Sequence, residues 1–365
     1  MPHPLDEYPI HQAPLSMRYA TSSDRNFYDR SYFNAHDRTG DTFLVTGLGA
    51  YQNLGVMDAY VTVKRGERQW TVRCSDPLPE NRLHQQVGPY RVEVLEPLDR
   101  IRIVCDADEH GIGMDLEWKG SFPAVDEPRH LAFARDRTVI DGCRFAQVGT
   151  WSGMLRVDGT EIMLDPDVWV GSRDRSWGIR PLGETEPAGR PADAEPGFWW
   201  LYVPLRFDDF AVVIIAQEQP DGTRTLNEAV QVWGDGRHEQ LGWPEVEIRY
   251  RPGSRIPVGA TLGLRRGRRS LDLEIEALGH VAMHLAGYGA GEGEWRHGQW
   301  RGAGWVEGTV HDLTAPDVAG RIPFGVVDHV GRATFDGAQG WGLFEHATIG
   351  RHDPSGFVDL MSVAP

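Results

Sequence analysis

The chain is short of what several large protein classes require. Three cysteines, Cys74, Cys105 and Cys143, are scattered through 365 residues with no CxxC pair. An odd, widely spaced set offers no disulfide framework and fits reduced thiols. Long apolar runs are missing too: the longest, Phe210 to Ala216, falls far below the roughly 20 residues of a spanning helix, so no integral membrane segment is expected. The opening MPHPLDEYPIHQAPL carries Asp and Glu where a secretory leader needs Lys or Arg, with no apolar segment behind it. A cytoplasmic location is the expectation. Positive charge is scarce, with 37 Lys and Arg against 53 Asp and Glu and a net charge of -16. That balance repels phosphate backbones and anionic headgroups, so neither nucleic acid nor a membrane surface is an expected partner. The one basic cluster, Arg265, Arg266, Arg268 and Arg269 around Gly267, reads as a solvated hairpin tip.

Helical patterning is also scarce. No segment sustains a 3.6-residue apolar stripe with caps, and the best candidate is a turn or two within Ser22 to Phe33. There is no GxSxG elbow, HExxH, Walker loop or GxGxxG between a strand and a helix. Gly287, Gly289, Gly291 and Gly293 lead into Trp295 and not into a helix start, which suits a loop or thin strand better than a phosphate cradle. No helix is available on which the 14 histidines could pair, and neither a metal nor a cofactor is expected.

Turns and period-two alternation fill the sequence instead. Gly 43 and Pro 24 are high without any collagen-like period, which favours tight turns between short strands. Tyr90, Val92 and Val94 alternate with Arg91 and Glu93, and Leu271, Leu273 and Ile275 with Asp272, Glu274 and Glu276, as half-buried antiparallel strands do. Asp158-Gly159, Asp221-Gly222 and Gly234-Asp235-Gly236 each read as a hairpin turn. The chain is therefore read as nearly all β, a meander closing into barrels or strongly curled sheets. The Pro-, Ala- and acid-rich stretch Leu182 to Pro196 cannot pack in a central strand. It separates an N-terminal β domain, residues 1–181, from a C-terminal one, residues 197–365. GFWWLYVPLRF, directly after it, is apolar on both faces, as a strand between two barrels would be. Thirteen Trp are either core fillers or the lining of a concave site.

Two places carry candidate chemistry. GSRDRSWGIRP, Gly171 to Pro181, crowds Arg173, Asp174, Arg175, Trp177 and Arg180 between turn-forming ends. In GWGLFEHATIG, Glu345 shares a parity with Leu343, Ala347 and Ile349, so if the aliphatic set faces a barrel interior, Glu345 faces it as well. An inward carboxylate is costly unless it is paired or protonated.

DRSWG, Asp174 to Gly178, resembles the Asp-x-x-Trp-Gly segment that ends the first of two lipocalin-like barrels in the carotenoid 1,2-hydratase and AttH-like proteins. GLFEHATIG, Gly342 to Gly350, is similar to that group's last strand, and Tyr32 to Gly55 is similar to the opening of uncharacterised actinobacterial relatives. Ser172 stands where the hydratases carry an aromatic residue, and Arg175 and Ser176 where they carry His and Asn. The resemblance implies two tandem lipocalin-like antiparallel β-barrels or half-barrels. It also implies acid catalysis on a polyene: a protonated acid in an apolar cavity, with aromatic faces that stabilise a cation.

The resulting expectation is a cofactor-independent hydratase, cyclase or isomerase of a hydrophobic isoprenoid or polyketide. Asp174 would be the general acid and Glu345 a second acid or base. Trp177, Trp199 and Trp200 would form the cation-stabilising wall, and Arg173 and Arg180 would orient Asp174 or hold a polar substrate end. Two alternatives stay open: Asp174 as a salt-bridge anchor among its arginines, and the whole protein as a non-catalytic carrier of an apolar small molecule.

Overall fold

A computed structural model describes residues 2–134, 137–182, 197–289 and 295–365. Most of the stretch read as a linker, residues 183–196, lies outside the described residues, as do Gly291 and Gly293. Strands take 59% of the chain and helical turns 6%, and the fold is two strongly curled antiparallel sheets, a pair of tandem lipocalin-like half-barrels. No described helix is long and apolar enough to cross a membrane.

In the first sheet, Phe27–His36 sits centrally, between Thr42–Tyr51 on one side and Val170–Ile179 on the other. Arg137–Val157 follows Val170–Ile179. In the second sheet, Gly197–Arg206 pairs with Phe210–Glu218 and with Ala338–Gly350, which in turn pairs with Val327–Phe335. One strand crosses the division read from the sequence. Trp305–Asp312, from the C-terminal half, pairs with Arg68–Pro77 and edges the first sheet.

The turn signals produce the expected hairpins. Asp158 and Gly159 take φ of 49° and 74° between Arg137–Val157 and Thr160–Leu164, the left-handed pair that matches the twist of the flanking strands. The arginine cluster is a hairpin tip: Arg266 faces Arg269 across Gly267, and both reach Asp336. The helix candidate in Ser22 to Phe33 is corrected. Phe27–His36 is a strand, because its residues sort by twos: Phe33 and Ala35 enter the first core while Tyr28, Arg30 and Tyr32 face the other way.

Each half-barrel is filled by its own side chains. The first packs around Trp118 and Trp151, both fully buried and in edge contact. The second packs around Leu201, Leu205, Phe207, Phe335 and Phe344. A third apolar layer, with Tyr32, Tyr202, Ile215 and Leu343 among its members, lies where the two sheets meet. Gly197–Arg206 is buried on both faces for that reason. Trp199, Leu201 and Val203 enter the second barrel core, and Trp200 and Tyr202 enter the layer between sheets.

Candidate functional site

The site follows from strand parity. Even-numbered residues of Phe27–His36 and Val170–Ile179 turn away from the first barrel's core, and so do Phe198 and Trp200 from the second's. They enclose a cavity of about 400 Å³ between the sheets. Tyr28, Arg30 and Tyr32 come from one strand, Cys143 and Arg144 from a second, and Asp174 and Ser176 from a third, with Arg180 just beyond it. Trp200, Tyr288 and Glu345 close the opposite side. The sequence expectation of a barrel lumen is thereby corrected. Leu343, Glu345 and Ala347 do share a face, but it is the inter-sheet face; Phe344 is the residue that enters the barrel core.

Asp174 is 8% exposed. It forms no hydrogen bond or ion pair among the described residues. Burial pushes its carboxyl above the ordinary Asp range, and the fields of Arg144, Arg30, Arg180 and Arg173 oppose the shift without cancelling it. The salt-bridge anchor therefore lacks its salt bridge: the guanidiniums act on Asp174 from a distance, and desolvation wins.

Glu345 keeps part of its surface open to the cavity. Burial raises its carboxyl to about 7, against the pull of Arg144, the Trp200 indole N–H and Arg180, while Asp174 adds to the rise. Trp200 Nε1 donates a hydrogen bond to Glu345 Oε1. An acid near 7 exchanges protons readily at neutral pH, which is what general acid–base catalysis needs.

The cations are held in place. Arg144 Nε donates to Glu127 Oε2 at 2.5 Å, and the guanidinium lies 4.2 Å from the Tyr202 ring centre. Arg30 Nη2 donates to the Tyr288 hydroxyl at 2.7 Å. Since that oxygen accepts from Arg30, its own proton is free to point to Tyr60 or into the cavity. Arg180 stacks near Tyr28, 5.6 Å from its ring centre. Among the described residues no group of three or more His, Cys, Asp or Glu is arranged to hold a metal.

A family model matches residues 3–358. The chain belongs to the family of unknown function DUF8625. No curated protein matches it. Among solved structures, this DUF8625 chain is similar to a putative AttH from Nitrosomonas europaea, at 13% identity and a TM-score of 0.56, with 92% of this chain and 98% of the other covered. It is similar as well to kievitone hydratase from Nectria haematococca, at 13% identity and a TM-score of 0.51, covering 87% and 88%. A third similar structure is CghA, at 14% identity and a TM-score of 0.51, covering 88% of each chain. At these identities the likeness establishes the tandem lipocalin-like fold.

Of the residues singled out in the DUF8625 sequence, Asp174, Arg180, Trp200 and Glu345 meet on the cavity wall. Three others do not, and alternation is the reason. Trp177 projects from the opposite face of Asp174's strand and is 40% exposed. Arg173, also out of phase with Asp174, donates from Nε to Gln147 Oε1 at 2.9 Å. Trp199 is out of phase with Trp200 and stacks on His352 in the second barrel, ring centres 5.5 Å apart. The aromatic wall is instead Trp200 with Tyr28, Tyr32, Phe198 and Tyr288. Sequence reading missed Arg30, Tyr32, Arg144, Tyr288 and Asp328. Only for Asp328 was there a local signal: the two-residue turn Asp336-Gly337, with φ of 51° and 83°, sets the register that places Asp328 opposite Glu345.

Proposed function

We propose that this protein is a cofactor-independent hydratase, cyclase or isomerase that acts on a hydrophobic isoprenoid or polyketide by acid catalysis in the inter-sheet cavity. The observation that carries the reading is Asp174, a buried carboxyl without an ion-pair partner among the described residues, held toward its protonated form on the wall of a cavity lined by aromatic rings. Asp174 acts as general acid, delivering its proton to an alkene or carbonyl. The faces of Trp200 and the neighbouring tyrosines stabilise the positive charge that develops. Glu345 accepts a proton from attacking water or from the cation itself. Arg180 and the Arg30–Tyr288 pair hold an oxygen-bearing end of the substrate. The fold shared with a protein named as a hydratase supports this choice. A carrier of apolar molecules has no use for two buried acids, which sets the carrier reading second. The three free thiols, of which Cys74 and Cys105 are buried, fit a reducing, cytoplasmic setting.

Trp200 tests where the ligand sits, because its ring lines the cavity and is nearly buried. An apolar fluorophore or a long polyene at saturating concentration is expected to change tryptophan emission, and Trp200→Phe is expected to remove most of that change. An emission change of the same size in Trp200→Phe would place the bound molecule elsewhere, and no binding to the folded protein would remove the basis for both the enzyme and the carrier.

A further inference from the structure

The most demanding buried group lies behind the cavity wall, not on it. Asp328 is 0% exposed and stands directly across the Val327–Phe335/Ala338–Gly350 hairpin from Glu345. The Tyr32 hydroxyl donates to its Oδ2 at 2.6 Å, while Oδ1 finds no donor among the described residues. A buried carboxylate oxygen without a donor is costly, and neither Asp328 nor Glu345 has an ion-pair partner among the described residues. The two carboxyls stand directly opposite each other on the hairpin, where paired Cβ atoms lie about 4.5–5.5 Å apart, and the charge of Glu345 acts on Asp328. Two ionised carboxylates cannot share such a site. A single proton on Asp328 Oδ1 resolves every one of these conflicts: Oδ2 accepts from Tyr32, Oδ1–H donates to Glu345, and no donorless oxygen remains.

We propose that Asp328 is a neutral carboxylic acid in the resting protein and that its Oδ1–H hydrogen bond to Glu345 makes it the positioning residue for Glu345, the cavity's proton acceptor. The groups that face the pair agree with this assignment. Asp328 meets Tyr32, and more distantly Asp174 and Tyr60, with no cation acting on it strongly. Glu345 alone feels Arg144 and Arg180 and the Trp200 N–H, with Tyr202 beside it on the neighbouring strand. Glu345 has the Trp200 N–H as a donor, whereas Asp328 Oδ1 has none among the described residues, so the resident proton belongs on Asp328.

The catalytic meaning of this arrangement rests on the proposed acid chemistry; the protonation state does not. In a hydration, the Asp174 O–H bond breaks as a C–H bond forms on the alkene. Water then bonds to the carbocation and gives a proton to Glu345, while Asp328 keeps its own. The proton passes back from Glu345 to Asp174 within the cavity, and the net change is the addition of water.

Infrared difference spectroscopy on the unliganded full-length protein tests the assignment, with wild type, Glu345→Gln, Asp174→Asn and Asp328→Asn compared across pH. A carboxylic-acid C=O component is expected to persist in wild type above the Glu345 titration, to remain in Glu345→Gln and in Asp174→Asn, and to vanish in Asp328→Asn. Because Asn replaces one neutral donor with another, Glu345 is expected to keep its midpoint near 7 in Asp328→Asn. A fall of about one unit or more, a tenfold change in the proton affinity of Glu345, would mean that an anion had been removed and would overturn the proposal. So would the absence of the persistent band in wild type. Tyr32→Phe supplies an independent check should Asp328→Asn fold poorly: loss of the donor to Oδ2 shifts the persistent band, whereas an ionised Asp328 has no acid band to shift. None of these readings needs a substrate, so failure here is distinct from failure of the proposed activity, which the Asp174 variant reports.

Discussion

Asp174→Asn is expected to lower turnover by about two to four orders of magnitude, the usual contribution of a general acid, while leaving the protein as stable as before or slightly more so. The substitution keeps the size of the side chain and removes the transferable proton. Its effect on stability separates catalyst from anchor. A carboxyl tied to Arg173 or Arg180 would leave an unpaired buried cation on removal, at a cost of about 3–5 kcal/mol. Arg173 is bonded to Gln147 and Arg180 stacks near Tyr28, so no such cation is stranded. The sign of the residual effect follows from linkage. Burial raises Asp174 above its ordinary range, so between the unfolded and folded values the native state binds the proton more tightly than the unfolded chain does. That contribution to stability is lost as pH rises through this window, and at neutral pH the acid is a net liability that Asn relieves. Melting temperature and kcat/KM, measured together, decide the case: a large loss of stability assigns Asp174 to structure, and unchanged turnover removes it from the mechanism.

Arg144→Met is expected to produce the largest loss of stability among cavity substitutions, about 3–5 kcal/mol. Arg144 is the ion partner of Glu127, whose side chain is 3% exposed, and it also covers the Tyr202 ring. Met keeps much of the packing but leaves a buried carboxylate without its ion partner. Burial already raises Glu127 above its ordinary range even with Arg144 present. Without the guanidinium, Glu127 folds only by taking up a proton, so the penalty grows as pH rises. The double variant Arg144→Met with Glu127→Gln is expected to recover most of the loss, since removing both charges spares the unpaired one. Urea unfolding of the two variants at acidic and alkaline pH measures both effects. Equal stability of Arg144→Met and wild type at alkaline pH would show that Glu127 is solvated after all.

The legible and illegible parts of this protein divide along a physical line. Alternation and Asp-Gly turns are local, so the strands around Leu271 and the hairpin at Asp158-Gly159 could be read directly, as could the opposite faces of Trp199 and Trp200 once a strand was assumed. Parity relates residues within a strand but does not say which of two faces meets a barrel core. That is why parity alone sends Glu345 to a lumen, although its face is the one between sheets, and why nearness in sequence groups Trp177 and Arg173 with Asp174 although they point away from it. Tyr32 lies beside Asp174 only because Phe27–His36 pairs with Val170–Ile179 across most of the N-terminal half, and Tyr288 reaches Arg30 from a different sheet altogether. Pairings of that range leave no trace in local pattern. Asp328 is the instructive case, since the Asp336-Gly337 turn fixed its register with Glu345 in advance.

The central claim is that the inter-sheet cavity transfers protons to and from the carbon skeleton of a small molecule. Incubating the protein in D2O with a panel of isoprenoid and polyketide polyenes, followed by mass spectrometry of the recovered molecules, tests it most directly. Wild type is expected to yield a product carrying carbon-bound deuterium, and Asp174→Asn to lose it. Recovery of a tightly bound polyene, unchanged and unlabelled, would contradict the account and leave the protein a carrier.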